Sequence, residues 1–498
     1  MVSLKRLFLL FIAVLLLSAG LFSCEDMYSP KAKPGTDTGT GTGEDTGTGM
    51  DTGTGADTGT GTSDIPPPAG AYGQFKQKYM TYADEIAVMH INTKNGVGIT
   101  SKETYVDATI NIEGTVNYNI SDWNVQIRGR GNSTWGRGDF PKKPYRIKAV
   151  NKTSIFGRPA VKNWALIANY SDKSLMRNYM TFMLGRSLHT MGFTPNAIFV
   201  EVYLNGRYNG LYCLQDHMEA KPSRVNVEGY ILDGSGKLTD VGFLVEFDWI
   251  KENRNPGAVE GRDYFALPDK NFLCFLRYPQ YDDDGFENNP ALYQQAFDYV
   301  KDYVTSVHNA IIDHNKTEFE SLCERDSFID YFIVQEMSRD IDGGYLSTFF
   351  NKKPGGKMQM GPLWDYDLAF GNCNYIGHTT DYSSPEGWYI VRESRWFRNL
   401  LRTEDFYEDF RTRFMELSAT NIQYTIDCID PTRELIREAA LRNFNRWKIL
   451  GTYVWPNPPG VLARKTWDGQ VDYIKEFWDG RNKWMYDELS NRNPIPDV

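Results

Sequence analysis

From Ile86 to about Lys148 apolar side chains recur at every second position between turn-forming residues: AVMHI, YVDATINIEG, WNVQIRGRG and PYRIKAV. Val125, Ile127 and Ile147 alternate with Arg and Lys, the pattern of half-buried strands. Trp164–Asn169 (WALIAN) reads as a further strand. Asp172 or Ser174 then supplies a helix cap, and LMRNYMTFMLGRSLHTM carries that helix to Gly192. Strands return in IFVEVYL, in LYCLQD across the turn NGRYNG, and in GFLVEFDW.

Past about Asn289 the period changes. Leu292–His314 and Glu318–Met337 read as helices, and YLSTFFNKKPGGKMQMGPLWDYD as strand, Gly-Gly turn and strand. Amphipathic helices close the chain, including Thr432–Ile449 and Gln470–Leu489. Their aromatic and apolar residues Phe444, Trp447, Ile474, Phe477, Trp478 and Trp484 fall at helical spacing, as a core stripe does. Strands first and helices later predict an α+β body with a strand-rich lobe at 66–288 and a helix-rich lobe at 289–498. A site is expected where the lobes meet.

The first residues follow a different logic. Lys5 and Arg6 precede the apolar run Leu7–Leu17, and LFSC ends at Cys24. Residues 1–23 thus have the layout of a signal peptide, too short in its apolar core to span a bilayer. A Cys at that point resembles a bacterial lipobox, with Cys24 the acylated residue. Residues 24–65 follow as a tether, largely TDTGTGTGEDTGTGMDTGTGADTGTGTSD. So few apolar side chains cannot offset the entropy of ordering. Its DTG triplets match the aspartic-protease motif but lack the flanking apolar strands that would bury the carboxylate. Lipid, tether and body together predict a lipoprotein on the outer membrane or cell surface, attached to membrane only through Cys24.

Net charge is −10, which excludes general nucleic-acid binding. One segment inverts the balance: Asp122–Asn178 holds twelve Arg or Lys against three Asp. It is either a solvated face matched from elsewhere or a site for an anion such as phosphate. Within it, RGRGNSTWGRG could bring backbone N–H groups close to phosphate. Lys143, Arg146 and Lys148 are the cations expected to project from KKPYRIK. After Cys24 five cysteines remain, with no CxxC, and buried free thiols are expected for most. Six scattered histidines show no zinc spacing.

Two acidic pairs carry the remaining chemistry. Asp365 and Asp367 in GPLWDYDLAFGN, if on a strand, share a face about 6–7 Å apart between Cα atoms. Their repulsion would be about 2–3 kcal/mol at an effective dielectric near 20. Protonation, basic partners, or a hard cation shared with phosphate would each relieve it. Asp340 and Asp342 in SRDIDGGY end an apolar helix, where they serve either a turn or a reaction needing a base.

RGRGNSTW, FPKKPYRIK, WALIANYSDKSLMRN, EVYLNGRYNGLYCL and GPLWDYDLAFGN occur in this order. In these motifs the chain resembles the CotH-type kinase-like family, named for spore coat protein H, over roughly 85–490. The resemblance implies a diverged, two-lobed protein-kinase-like fold. It also implies phosphate transfer from ATP, with Mg²⁺ or Mn²⁺, to Ser or Thr of a surface or secreted protein. Carried over, Asp365 and Asp367 take the metal, with Asp365 favoured. Asp340 or Asp342 is the catalytic acid, with Asp342 favoured. Arg128, Lys143, Arg146 and Lys148 take the nucleotide phosphates. One departure stands out: where the family often has Glu after GLYCL, this chain has Gln215-Asp216-His217, a methylene shorter. ATP is scarce outside the inner membrane, so a catalytically inactive surface scaffold binding a glycan or protein partner is the alternative. A calcium-stabilised structural site at the acids is a third.

Overall fold

The seven strands marked by the period-two pattern close on themselves. In a computed structural model that describes residues 86–495, apart from 251–254, 256, 269–271, 284 and 376–383, they form one barrel. These strands are β1 (Ala87–Thr93), β2 (Val106–Glu113), β3 (Ile120–Gly129), β4 (Tyr145–Thr153), β5 (Val161–Ile167), β6 (Ala197–Leu204) and β7 (Arg207–Asp216). They run in the order β1-β2-β3-β4-β5-β7-β6, and β6 closes on β1 in parallel. The expected signal peptide (1–23) and tether (24–65) lie outside the described residues.

Alternation decides what fills this barrel. Met89, Ile91, Ile110, Ile127, Ile147, Trp164, Val200 and Leu214 point inward and form one closed apolar cluster. The opposite faces of β5, β6 and β7 carry Ala165, Ile167, Phe199, Leu211 and Cys213, which join a second, larger core. The helix α1 (Arg177–Leu188) contributes to that core and is buried along nearly its whole length. It starts later than expected, because Asp172 makes a turn instead of a direct cap. Its carboxylate accepts from the backbone N–H of Ser174 at 3.0 Å and of Arg177 at 3.0 Å.

Beyond the barrel, β8 (Tyr230–Leu232) pairs with β9 (Leu238–Val241). A five-stranded sheet runs in the order β11-β12-β10-β13-β14. Its members are β10 (Phe243–Asp248), β11 (Tyr264–Ala266), β12 (Leu273–Tyr278), β13 (Thr348–Lys352) and β14 (Gln359–Met360). It joins strands from both sides of residue 288, so the boundary read at 288 from the change of period cuts through a sheet. The α+β class holds, with the barrel as the strand-rich unit.

Helix α2 (Pro290–Ile312) follows its expected span closely. The helix expected over Glu318–Met337 is interrupted. A short turn of helix ends at Leu322, and α3 (Arg325–Ser338) begins after an extended Cys323. Cys323 bridges to Met358, and the Glu324 N–H donates to the Met358 carbonyl at 2.8 Å, so the β13–β14 hairpin pins the break. The C-terminal helices α4 (Glu404–Leu417), α5 (Ile429–Arg446) and α6 (Trp467–Ser490) close the body. All five cysteines of the described residues are free and buried. No helix among the described residues is long and apolar enough to cross a membrane.

One fully buried ion pair ties α3 to α6. The Arg481 guanidinium meets the Glu336 carboxylate at 2.6 Å, with neither side chain exposed. The remaining N–H groups donate to the carbonyls of Glu336, Pro385 and Gly387 at 2.7–3.0 Å. Glu336 also accepts from the backbone N–H of Tyr389 at 2.7 Å and of Ile390 at 2.8 Å. Removing one partner strands a charge in the core. Arg481→Met is expected to cost on the order of 3–5 kcal/mol in urea unfolding, and adding Glu336→Gln is expected to recover part of it. A single-variant loss below about 1 kcal/mol would contradict this account.

Candidate functional site

The loop after β14 carries the first acidic pair. It is not the strand expected from its sequence: the ladder ends at Met360, and Asp365 has φ +71°. The i, i+2 strand geometry is therefore wrong, but the pair still meets. Side chains from three helices fix the loop. The Asn178 carboxamide oxygen accepts from the Tyr366 N–H at 2.8 Å, and Gln335 Nε2 donates to the Tyr366 hydroxyl at 2.7 Å. Arg177, buried and paired with Asp172, donates from Nε to the Ala369 carbonyl at 2.9 Å. The Phe370 N–H donates to the Ser338 carbonyl at 2.7 Å, and its ring stacks on Trp478 with centroids 4.3 Å apart.

The second pair sits where the sequence placed it, at the end of α3. Arg339 terminates that helix in a left-handed conformation, and Asp340–Leu346 turn away from it. The glycines here are steric necessities. A Cβ at Gly343 would approach Gln335 Oε1 to 2.6 Å, and Gly344 has φ +83° with Ser394 2.6 Å from its would-be Cβ.

These two loops bring four carboxyl groups into one electrostatic neighbourhood. Asp340, only 3% exposed, is pushed well above the ordinary carboxylate range, first by burial and then by Asp342, Asp365 and Asp367. Asp367, 5% exposed, is raised in the same way by burial, then Asp365 and Asp172. Its carboxyl shares a hydrogen bond with that of Asp365, and its Oδ1 has no partner. Arg130 is the cation that opposes this shift at Asp367. Such a cluster takes up either protons or a cation.

Asp365 and Asp367 line a recess together with Arg130, Lys142, Asn178 and Gln215. None of the four cations expected to serve phosphate is among its lining residues. The Lys143 ammonium donates to the carbonyls of Trp135 at 2.7 Å and Arg137 at 2.9 Å. Arg128 and Lys148 both sit over the Tyr105 ring, at 5.2 and 5.7 Å. Arg146 lies opposite Arg128 on β4. For Lys143 alone the sequence held a signal. Lys142, Pro144, Arg146 and Lys148 are in one alternation phase, and Lys143 is out of it. Lys142 is itself committed, donating to the Ala168 carbonyl at 2.7 Å, to the Leu211 carbonyl and to Asn443 Oδ1 at 2.9 Å.

The glycine-rich stretch also folds differently from the phosphate-cradling loop expected. A Cβ at Gly129 would meet the Trp135 ring at 2.4 Å, and one at Gly131 (φ +86°) would meet Thr134 Oγ1 at 2.1 Å. Those two glycines are required by the loop's own packing. Asp216, in the place of the expected Glu, pairs with Arg158 and with Arg224, at 2.6 Å for the latter.

The acids fit a hard divalent cation, since the unpartnered Asp367 Oδ1 and the close approach of the Asp365 carboxyl mark charge that the protein itself leaves uncompensated. Among the described residues no three His, Cys, Asp or Glu side chains form a ready-made metal cage. Mg²⁺ commonly takes one or two carboxylates and completes its shell with phosphate oxygens and water. The family model described as CotH kinase protein matches residues 127–485 of the 498-residue chain, and the chain belongs to that family. No curated protein matches it.

The raised carboxyls set a sign for stability. Protonated, they support the fold below the ordinary carboxylate range, and that support is lost as pH rises through their elevated values. In EDTA, Asp367→Asn is expected to melt higher than wild type at pH 8, by on the order of 1–3 kcal/mol, and level with it near pH 4. A lower Tm at pH 8 would refute the uncompensated cluster.

Proposed function

We propose that this CotH-family chain is an ATP- and divalent-metal-dependent protein kinase acting on Ser or Thr of a surface or secreted protein. The observation that carries the reading is the shared electrostatic neighbourhood of Asp340, Asp342, Asp365 and Asp367, with Arg130 lining the recess beside Asp365 and Asp367. Phosphoryl transfer asks a protein for positioning and charge more than for covalent chemistry. Bound Mg²⁺ or Mn²⁺ would neutralise charge on the transferring group. Asp365 and Asp367 would hold it. Arg130 supplies a fixed positive charge on the same recess. Asp342 is the residue assigned to orient the acceptor hydroxyl and take its proton as the phosphorus–oxygen bond forms and ADP leaves. Its partner Asp340, whose carboxyl stays protonated more readily, shares the turn and positions it. Arg130 takes the phosphate contact in place of Lys143, whose ammonium is committed to the carbonyls of Trp135 and Arg137. Lipid on Cys24 would hold the chain at the outer membrane or cell surface.

One observation favours the scaffold alternative: all three acceptors around the Lys142 ammonium are protein oxygens, so this buried lysine has no N–H to offer a phosphate. Two measurements separate the readings. With Mn²⁺ present, ATP is expected to raise Tm. Labelled phosphate is also expected to pass from ATP to the chain or to a Ser/Thr-rich acceptor, and Asp365→Ala to lower that transfer at least about a hundredfold. An unchanged Tm together with no label above background would leave the scaffold as the function.

A further inference from the structure

The barrel side of the recess carries two carboxamides, Asn169 and Gln215, across from Asp365 and Asp367. Gln215 shares with Leu211 and Cys213 the face of β7 that turns toward the larger core. Asn169 stands two residues past β5 with φ +49°, a left-handed conformation that Asn tolerates better than most residues. Its Nδ2 donates to the Leu175 carbonyl at 3.1 Å, which turns Oδ1 away from that carbonyl. Asn169 is 5% exposed and Gln215 3%. Neither Asn169 Oδ1 nor Gln215 Oε1 has a hydrogen-bond partner among the described residues, and Asp367 Oδ1 shares that condition.

Three buried acceptors on one recess restrict what can enter it. Each one left unmet costs about 1–3 kcal/mol. Phosphate oxygens are acceptors themselves and would set oxygen against oxygen here. An apolar group would leave all three unmet. The nearby cations are engaged elsewhere: Lys142 donates to Ala168, Leu211 and Asn443, and the Arg130 guanidinium lies over the Trp364 ring, 5.5 Å from its centroid. What fits is an O–H or N–H donor brought in by a ligand. Charge narrows the choice, because Asp365 and Asp367 already repel and neutral carboxamides add acceptors without adding charge. A hard divalent cation on one or two carboxylates keeps several of its waters, and those waters are donors. Protein groups that accept from such ligands orient them and tighten the metal.

We propose that Asn169 and Gln215 accept hydrogen bonds from water on a divalent cation held by Asp365 and Asp367, and so favour Mg²⁺ or Mn²⁺ over Ca²⁺. Mg²⁺ gives up water reluctantly and needs acceptors for what it keeps, whereas Ca²⁺ takes six to eight oxygens, carboxamides included, directly. Asn169 and Gln215 are positioning residues, since they touch the water and not the metal. Their role rests on Asp365 and Asp367 being the metal pair, as in the proposed function. It gives the barrel a part in cation binding, although both carboxylates come from the loop after β14.

The test is calorimetric titration of the full chain with MnCl₂, MgCl₂ and CaCl₂ without nucleotide, so that no phosphate transfer takes place. Wild type is expected to bind Mn²⁺ and Mg²⁺ more tightly than Ca²⁺. Gln215→Met keeps the side-chain length but removes the acceptor, and Asn169→Gly keeps the left-handed backbone. Each is expected to weaken Mn²⁺ about tenfold or more, and Gln215→Glu, which restores an acceptor, to bind at least as tightly as wild type. In EDTA, Gln215→Met is expected to melt no lower than wild type, because an unmet polar group leaves the interior. A lower Tm with Mn²⁺ affinity unchanged would mark a structural role and overturn the proposal. Tighter binding of Ca²⁺ than of Mg²⁺ would mark direct ligation and overturn it too. So would metal-free binding of adenosine that both variants weaken, since the oxygens would then serve the nucleoside. Asp367→Asn separates the two levels. If it abolishes Mn²⁺ binding while both carboxamide variants keep it, only the role of Asn169 and Gln215 fails. If it leaves Mn²⁺ binding unchanged, or wild type binds none, the metal pair fails as well.

Discussion

Four carboxyl groups, three of them buried and Asp365 partly so, are held together, and much of the surrounding structure prevents them from moving apart. Loop residues bearing like charges would ordinarily swing into solvent, where repulsion is worth little. Here the Asp365–Asp367 loop is fastened by Arg177 and Asn178 of α1, Ser338 of α3 and Trp478 of α6. The Asp340–Asp342 turn hangs from α3, which the Glu336–Arg481 pair locks to α6. Without those attachments the acids would separate and lose their capacity for a proton or a cation.

The barrel contributes the opposite charge. Its strands present an apolar interior on one phase and, on the other, a row in which Arg128 and Arg146 are register partners. α5 anchors it to the C-terminal body, where Asn443 receives both Lys142 and the Leu211 N–H and where Arg442 pairs with Glu201 at 2.8 Å. The acids and the arginines therefore belong to different structural units and adjoin at Arg130.

Much of the fold was legible in residue order. The seven barrel strands and the α2, α5 and α6 helices follow from periods of two and 3.6, since each element presents one continuous face to a core. The failures share a cause. Asp172 looked like a helix cap but makes a turn, because Arg177 needs its carboxylate in the interior. Asp365 and Asp367 looked like strand neighbours, but β14 is short and Asp365 adopts a left-handed conformation. The boundary at 288 followed a change of period, whereas β10 on one side hydrogen-bonds to β13 on the other. Periodicity reports which face is buried and is blind to which distant segment buries it.

For the site, sequence alone determined the kinds of group present: paired aspartates, a basic glycine-containing segment and the ordered motifs of the CotH family. Residue type and local spacing are enough for that, because chemistry resides in the side chain. Which cation meets which acid was decided only by tertiary structure. Lys143 is captured by two nearby carbonyls, Lys142 by three oxygens from separate segments, and Arg130 alone of the three stands on the recess without such partners in hand. His217 gave no signal in the sequence at all. Four arginines, from β3 and the residue after it, β4 and the segment after β7, act on it electrostatically, an arrangement that only the closed barrel produces.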